Sequence, residues 1–178
     1  MAQHLCILLE TCMSTQLIKK LLNEIEFFWQ FSDAEKEQLL AHDDFSQFVA
    51  QGRRVIIEGE SDSSLYVLLS GSITISKTDG EEGEKILATL EKGAIFGEIS
   101  FLTAAPRASS ATALTDCTLL KIDSGSMASM DPAVHIRIKD QLIKILVGRL
   151  ERMNEKTVQQ EKTIGQLLQG LRSQQNEA

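Results

Sequence analysis

The spacing of apolar residues changes twice along this chain, and each change predicts a different kind of element. From Thr15 to Phe31, Leu17, Ile18, Leu21, Leu22, Ile25, Phe28 and Trp29 recur at helical intervals. Ser32-Asp33 then offers an N-cap, with Glu35 in the first turn, for a second short helix ending near His42. Between about Phe45 and Asp123 the period becomes two. Val55-Ile56-Ile57, Leu65 to Leu69, Ile73 to Ile75 and Ile86 to Leu90 read as short strands, and Thr112 to Ile122 supplies two more. Gly52, Gly59, Gly71, Asp79-Gly80 and Lys92-Gly93 punctuate them. Asp131-Pro132 then signals a helix start with proline at the first helical position, and helical spacing continues to at least Leu171.

Many short strands at even spacing predict an antiparallel sandwich or barrel flanked by helices. The long helix carries a seam at alternating three- and four-residue steps: Ile143, Leu146, Leu150, Met153, Thr157, Gln160, Ile164, Leu167 and Leu171. These are heptad a and d positions, and a single helix cannot bury them, so the pattern predicts a coiled coil in a parallel homodimer. Thr157 and Gln160 weaken its middle. Gly148, Gly165 and Gly170 each cost about 1 kcal/mol of helix propensity relative to alanine, so the far end should fray. The organisation read from these patterns is an uncertain segment at 1–13, a domain with N-terminal helices at 14–130, a dimerisation helix at 131–172 and a disordered tail at 173–178.

A composition of 43% hydrophobic and 24% charged residues is that of an ordinary globular protein. The net charge of −7 argues against direct DNA binding, which needs clustered Lys and Arg. Cys6, Cys12 and Cys117 show no metal-ligand spacing and leave one cysteine over, which suits a reducing compartment. No apolar run reaches the roughly 20 residues of a membrane span. The stretch Leu5 to Leu9 lacks the basic leader of a signal peptide, so a cytoplasmic address is expected, with no membrane partner.

The chemistry concentrates in Phe96-Gly97-Glu98-Ile99-Ser100-Phe101-Leu102-Thr103-Ala104-Ala105-Pro106-Arg107-Ala108-Ser109-Ser110. One carboxylate and one guanidinium lie nine residues apart in a segment otherwise apolar or small. Gly97 lets backbone approach a ligand closely, and a short helix opening at Glu98 would aim free N–H groups at an anion. The planar fork of Arg107 suits a phosphate, and Glu98 can accept from a sugar hydroxyl. Together these read as a pocket for one small nucleotide.

This stretch resembles the phosphate-binding cassette of cyclic nucleotide-binding domains, found in catabolite-activator-type regulators of bacteria, kinase regulatory subunits and gated channels. The family pattern is roughly F-G-E-[LI]-[AS]-L-L, a spacer, P-R, then small and hydroxyl residues. The likeness extends through GRRVIIEGESDSSLYVLLSGSITI upstream and DCTLLKID downstream, from about Leu21 to Met130. It implies an eight-stranded jelly roll with the cassette between the sixth and seventh strands. It further implies nucleotide contacts from Phe96, Gly97, Glu98, Ile99, Ser100, Arg107, Ala108 and Ser109. Ile75 and Leu87 match positions that line base and sugar in relatives, as does Phe96, with ordinary core as the alternative. Met153 and Asn154 align with helix residues that reach the purine, or else belong to the seam. The family often places Ser or Thr directly after the arginine to favour cGMP. Ala108 stands there, so cAMP is the expected ligand, although the hydroxyls are shifted to Ser109 and Ser110.

Nothing in the sequence supports catalysis. His4, His42 and His135 are scattered, and Asp79 to Glu84 reads as a solvated acidic hairpin lacking the spacing of a calcium loop. No metal or cofactor is expected beyond the ligand itself. After the long helix too few residues remain for a helix-turn-helix unit. The expected function is a cyclic nucleotide sensor that does not consume its ligand and signals to an unknown protein effector through a dimeric helix, hinged after Met127. The alternatives are a scaffold with a degenerate, ligand-free domain and a hydrolase, for which the metal cluster is missing.

Overall fold

The computed structural model describes residues 16–40, 46–80 and 83–176. The segment 1–13, with His4, Cys6 and Cys12, lies outside them, as do His42 and the end of the tail. The helical run read from Thr15 to Phe31 is interrupted. Helix α1 occupies 16–23, and a single 3₁₀ turn follows at Glu26–Phe28. The break lets the adjacent Phe27 and Phe28 both be buried, in edge contact at 4.8 Å between ring centroids and each packed on Phe31. Trp29, assigned by spacing to the apolar face, is exposed, its indole N–H donating to the Asn23 carbonyl. Helix α2, Asp33–Leu39, begins with the N-cap expected at Ser32, and the cap is a full capping box: its hydroxyl accepts from the Glu35 N–H, and Glu35 accepts from the Ser32 N–H.

The strands form two four-stranded antiparallel sheets. One is ordered β1 (Ser46–Val49), β8 (Cys117–Ile122), β3 (Leu65–Ser70) and β6 (Ile95–Phe96); the other is β2 (Arg54–Ile56), β7 (Ser110–Ala113), β4 (Ile73–Asp79) and β5 (Gly83–Leu90). Their facing sides make one core. Val49, Tyr66, Leu68, Phe96 and Leu119 come from the first sheet, and Ile56, Ile73, Ala111 and Ala113 from the second. Strand β3 is apolar on both faces, and Leu65, Val67 and Leu69 on its outer face are fully buried too. An uninterrupted apolar run is what a strand covered on both sides requires. Gly71, at φ 86°, turns β3 into β4 where a Cβ would stand 2.3 Å from the Asp116 carbonyl.

Helix α3 (Glu98–Thr103) lies between the sixth and seventh strands, where the resemblance implies the cassette. Of the acidic stretch Asp79 to Glu84, residues 81–82 lie outside the described residues, but its last carboxylate is tied into the sheet. Glu84 accepts from the Ser76 hydroxyl at 2.6 Å and from Arg54 at 3.0 Å, tying three strands of one sheet.

After α4 (Ser124–Ser129), the backbone becomes extended at Met130, so the break before the long helix falls there and not after Met127. Asp131 caps helix α5, Pro132–Asn176, by accepting from the Ala133 N–H at 2.8 Å. The helix runs past position 172 into residues read as tail, through Ser, Gln and Asn that oppose helix less than Gly or Pro. The chain divides into two units between Arg137 and Ile138. No described helix is long and apolar enough to cross a membrane.

Candidate functional site

The site is built where α3 and the segment leading into β7 meet the loop between β2 and β3. Gly97 leaves β6 at φ 80° and starts α3; a Cβ there would lie 2.6 Å from Arg107 Nη1 and 2.8 Å from the Ser64 carbonyl. Only glycine tolerates both that conformation and that approach. Ala104 closes α3 with a left-handed turn at φ 55°. The chain then returns extended to Arg107, whose backbone is locked in both directions: its N–H donates to the Glu60 carbonyl at 2.9 Å, and its carbonyl accepts from the Gly59 N–H at 2.8 Å.

Arg107 is 3% exposed, so its charge sits inside the fold. Nη1 donates to the Gly97 carbonyl at 3.1 Å, and Nη2 donates to the Ser64 carbonyl at 2.7 Å and to the Asp62 carboxylate. The guanidinium also lies over the Tyr66 ring, 5.9 Å from its centroid, and that ring stacks on Phe96. One of its three nitrogens makes no hydrogen bond. Arg107 Nε is buried with no hydrogen-bond partner among the described residues. Buried donors seldom go unpaired, because the lost hydration is not recovered.

Asp62 is the partner of Arg107 that sequence reading missed. It lies within the quoted GESDSSLY stretch, where an Asp followed two positions later by Ser signals a turn rather than a site. That turn forms, with the Ser64 N–H and hydroxyl donating to Asp62 Oδ1 at 3.1 and 2.8 Å, and it aims the other oxygen at Arg107. Partial burial pushes the Asp62 carboxyl up. Hydrogen bonds from Arg107 and Ser64 outweigh that and hold it below the usual range. Burial, reinforced by the Asp62 charge, pushes the Tyr66 hydroxyl up.

The other sequence-predicted residues divide by burial. Glu98, at 5% exposure, and Ser100 are buried on the inner side of α3, whereas Ile99 faces outward. Phe96 is core, and Ile75 is partly buried against the same cluster. Leu87 on the edge strand β5 and Ala108 are exposed, and Ser109 is half-buried. The shifted hydroxyl run resolves in part: the Ser110 side chain turns back to accept from the Glu58 N–H at 3.1 Å. Among the described residues no group of His, Cys, Asp and Glu is placed to hold a metal ion.

The family model "Cyclic nucleotide-binding domain" matches residues 46–130, which contain every one of these groups. A CRP-like cAMP-activated global transcriptional regulator of Mycobacterium tuberculosis is 33% identical over 104 residues, covering 58% of this chain and 46% of that protein. A cAMP-dependent protein kinase regulatory subunit of Mycosarcoma maydis is 29% identical over 79% of this chain and 25% of its own length. The chain thus spans less than half of either curated relative. Among solved structures, the catabolite activator protein of Thermus thermophilus superposes with a TM-score of 0.62 at 25% identity, over 73% of this chain and 60% of that one.

Proposed function

Residues 46–130 are a member of the cyclic nucleotide-binding domain family, and from that premise we propose that the chain is a cytoplasmic cAMP sensor that binds its ligand without turnover. Arg107 carries the reading. It is a buried guanidinium braced by two carbonyls, with its Nε unpartnered among the described residues. A cyclic phosphate entering beside it gains charge-assisted hydrogen bonds in a site shielded from water. Glu98, buried on α3, takes the sugar hydroxyl. Ser109 and the backbone from Gly97 to Ser100 complete the cradle, with Ile75, Leu87 and Phe96 against the base and sugar. Ala108 offers no hydroxyl to a guanine, so cAMP is preferred over cGMP. The domain adopts the family's jelly roll. Ligand state passes through the break at Met130 to α5, which acts as a dimeric coiled-coil output toward a protein effector. A ligand shifts that equilibrium only by its differential affinity for the two states.

Asp62 favours a second reading, a scaffold whose domain has lost its ligand. Its carboxylate already neutralises Arg107 from within the chain. The two readings separate in isothermal titration with cAMP and cGMP, backed by native mass spectrometry of freshly purified protein. A sensor binds cAMP more tightly than cGMP and loses it with Arg107→Ala. Absence of heat and of any co-purified nucleotide would establish the scaffold.

A further inference from the structure

The middle of α5 interrupts an otherwise apolar seam, and the interruption is itself organised. Before it, Ile143, Leu150 and Met153 are exposed, and after it Ile164 and Leu167 are exposed too. Between them stand Thr157 and Gln160, one at an a position and one at a d position. Thr157 Oγ1 donates to the Met153 carbonyl at 3.0 Å, so its hydroxyl proton is spent within its own helix. Gln160 forms no hydrogen bond through its side chain among the described residues.

On the same frame Lys156 occupies a g position and Glu161 the following e position. Five residues apart on one helix they lie about 140° from each other round the axis, too far to meet, and they flank the seam on opposite sides. Both are exposed, and neither forms an ion pair among the described residues. In a parallel pair of helices, g of one copy faces e of the next heptad in the other, which brings Lys156 to Glu161 twice. In an antiparallel pair g faces g and e faces e, and the attraction is lost. The preceding g–e pair, Arg149 with Asn154, carries no opposite charge.

Resting on the dimeric output proposed above, we infer that this interruption is a register key: a second copy of this chain docks parallel and in step on α5. Gln160 then faces Gln160, whose amides satisfy each other, and the Lys156–Glu161 pairs close both flanks. A slip of one heptad sets Gln160 against Met153 or Leu167, where its amide finds no partner. A single polar layer thereby selects one alignment from several that the apolar residues alone would accept.

Sedimentation equilibrium of the full chain at low salt tests this with Lys156→Glu, Glu161→Lys and the double exchange. All three change exposed residues. The wild type should be a dimer. Each single variant should dissociate about tenfold more readily, because both flanking pairs turn repulsive. The double exchange should return to within about threefold of the wild type, since it restores both pairs in the opposite sense. Single variants as tight as the wild type overturn the inference, because an antiparallel or slipped pair leaves these charges apart; so does a double exchange that fails to recover. A wild type that stays monomeric removes both this inference and the dimeric output, while cAMP titration of the same sample reports separately on the pocket.

Discussion

The two units of this chain leave opposite kinds of group unsatisfied. The sandwich buries a charge: Arg107, with Nε unpaired inside the fold. The helix beyond Arg137 exposes oil: Leu150 and Met153 are 57% and 65% accessible. Burying an ionised group is tolerated only when counter-charge and hydrogen bonds surround it. Exposing a regular apolar stripe is stable only when something covers it. On the proposed reading, a small anion would complete the first region and an amphipathic helix the second. The difference teaches where to look for a ligand and where for a partner: an orphaned donor marks the one, an orphaned seam the other.

The sharpest break of this comparison is Arg107→Ala. Removing one member of a buried charge pair weakens such contacts by about 3–5 kcal/mol, which is roughly 10²- to 10⁴-fold in cAMP affinity by titration. An undiminished affinity would move the pocket elsewhere. Next comes Leu150→Glu. It places a charge in the seam in place of a side chain whose burial contributes about 1.5–3 kcal/mol, so the dimer should dissociate at micromolar concentration in light scattering. Because the two units are completed by different things, the Leu150 variant should still bind cAMP, and the Arg107 variant should still dimerise.

Gly97→Ala follows, at about 2 kcal/mol of lost stability in urea unfolding. The left-handed backbone at φ 80° accounts for about 1–2 kcal/mol, and the new Cβ also collides with Arg107 Nη1 and the Ser64 carbonyl. Ser32→Ala is smaller, about 1 kcal/mol, from loss of the capping box at α2. It should leave cAMP affinity unchanged and so separates general stability from the site.

Legibility in the sequence followed contact range. Ser32 with Glu35, and Asp131 before Pro132, announce helix starts because capping is decided within three residues. Gly97, Glu98 and Arg107 were readable because one short segment carries them all. Strand β6 was not picked out because two residues display no period, and β1 because it opens on the polar pair Ser46-Gln47 and has no apolar run. The split of the first helix at 23–26 escaped because Phe27 and Phe28 obey a packing demand that spacing alone does not express. Asp62 escaped for a related reason. It stands 45 residues from Arg107, and only the fold brings the two together.

Asp62 carries the subtlest test of how the buried charge is kept. Its carboxyl is held below the ordinary 3.8. An acid whose pKa is depressed by folding stabilises fully above its unfolded value and loses that contribution as pH falls through its folded value. The stability difference between wild type and Asp62→Asn should therefore be constant above about pH 5 and shrink between about pH 4 and the lower folded value. Its size should be about 1 kcal/mol or less, because the Asp62 side chain is 43% exposed and water screens the pair. Asp123 and Glu35 are also depressed, by hydrogen bonds to Ser126 and Ser32, but they are present in both proteins and cancel in the difference. A gap that stays flat through pH 3 would mean that the Gly97 and Ser64 carbonyls alone hold Arg107 in place, and that Asp62 is a bystander to the cation it touches.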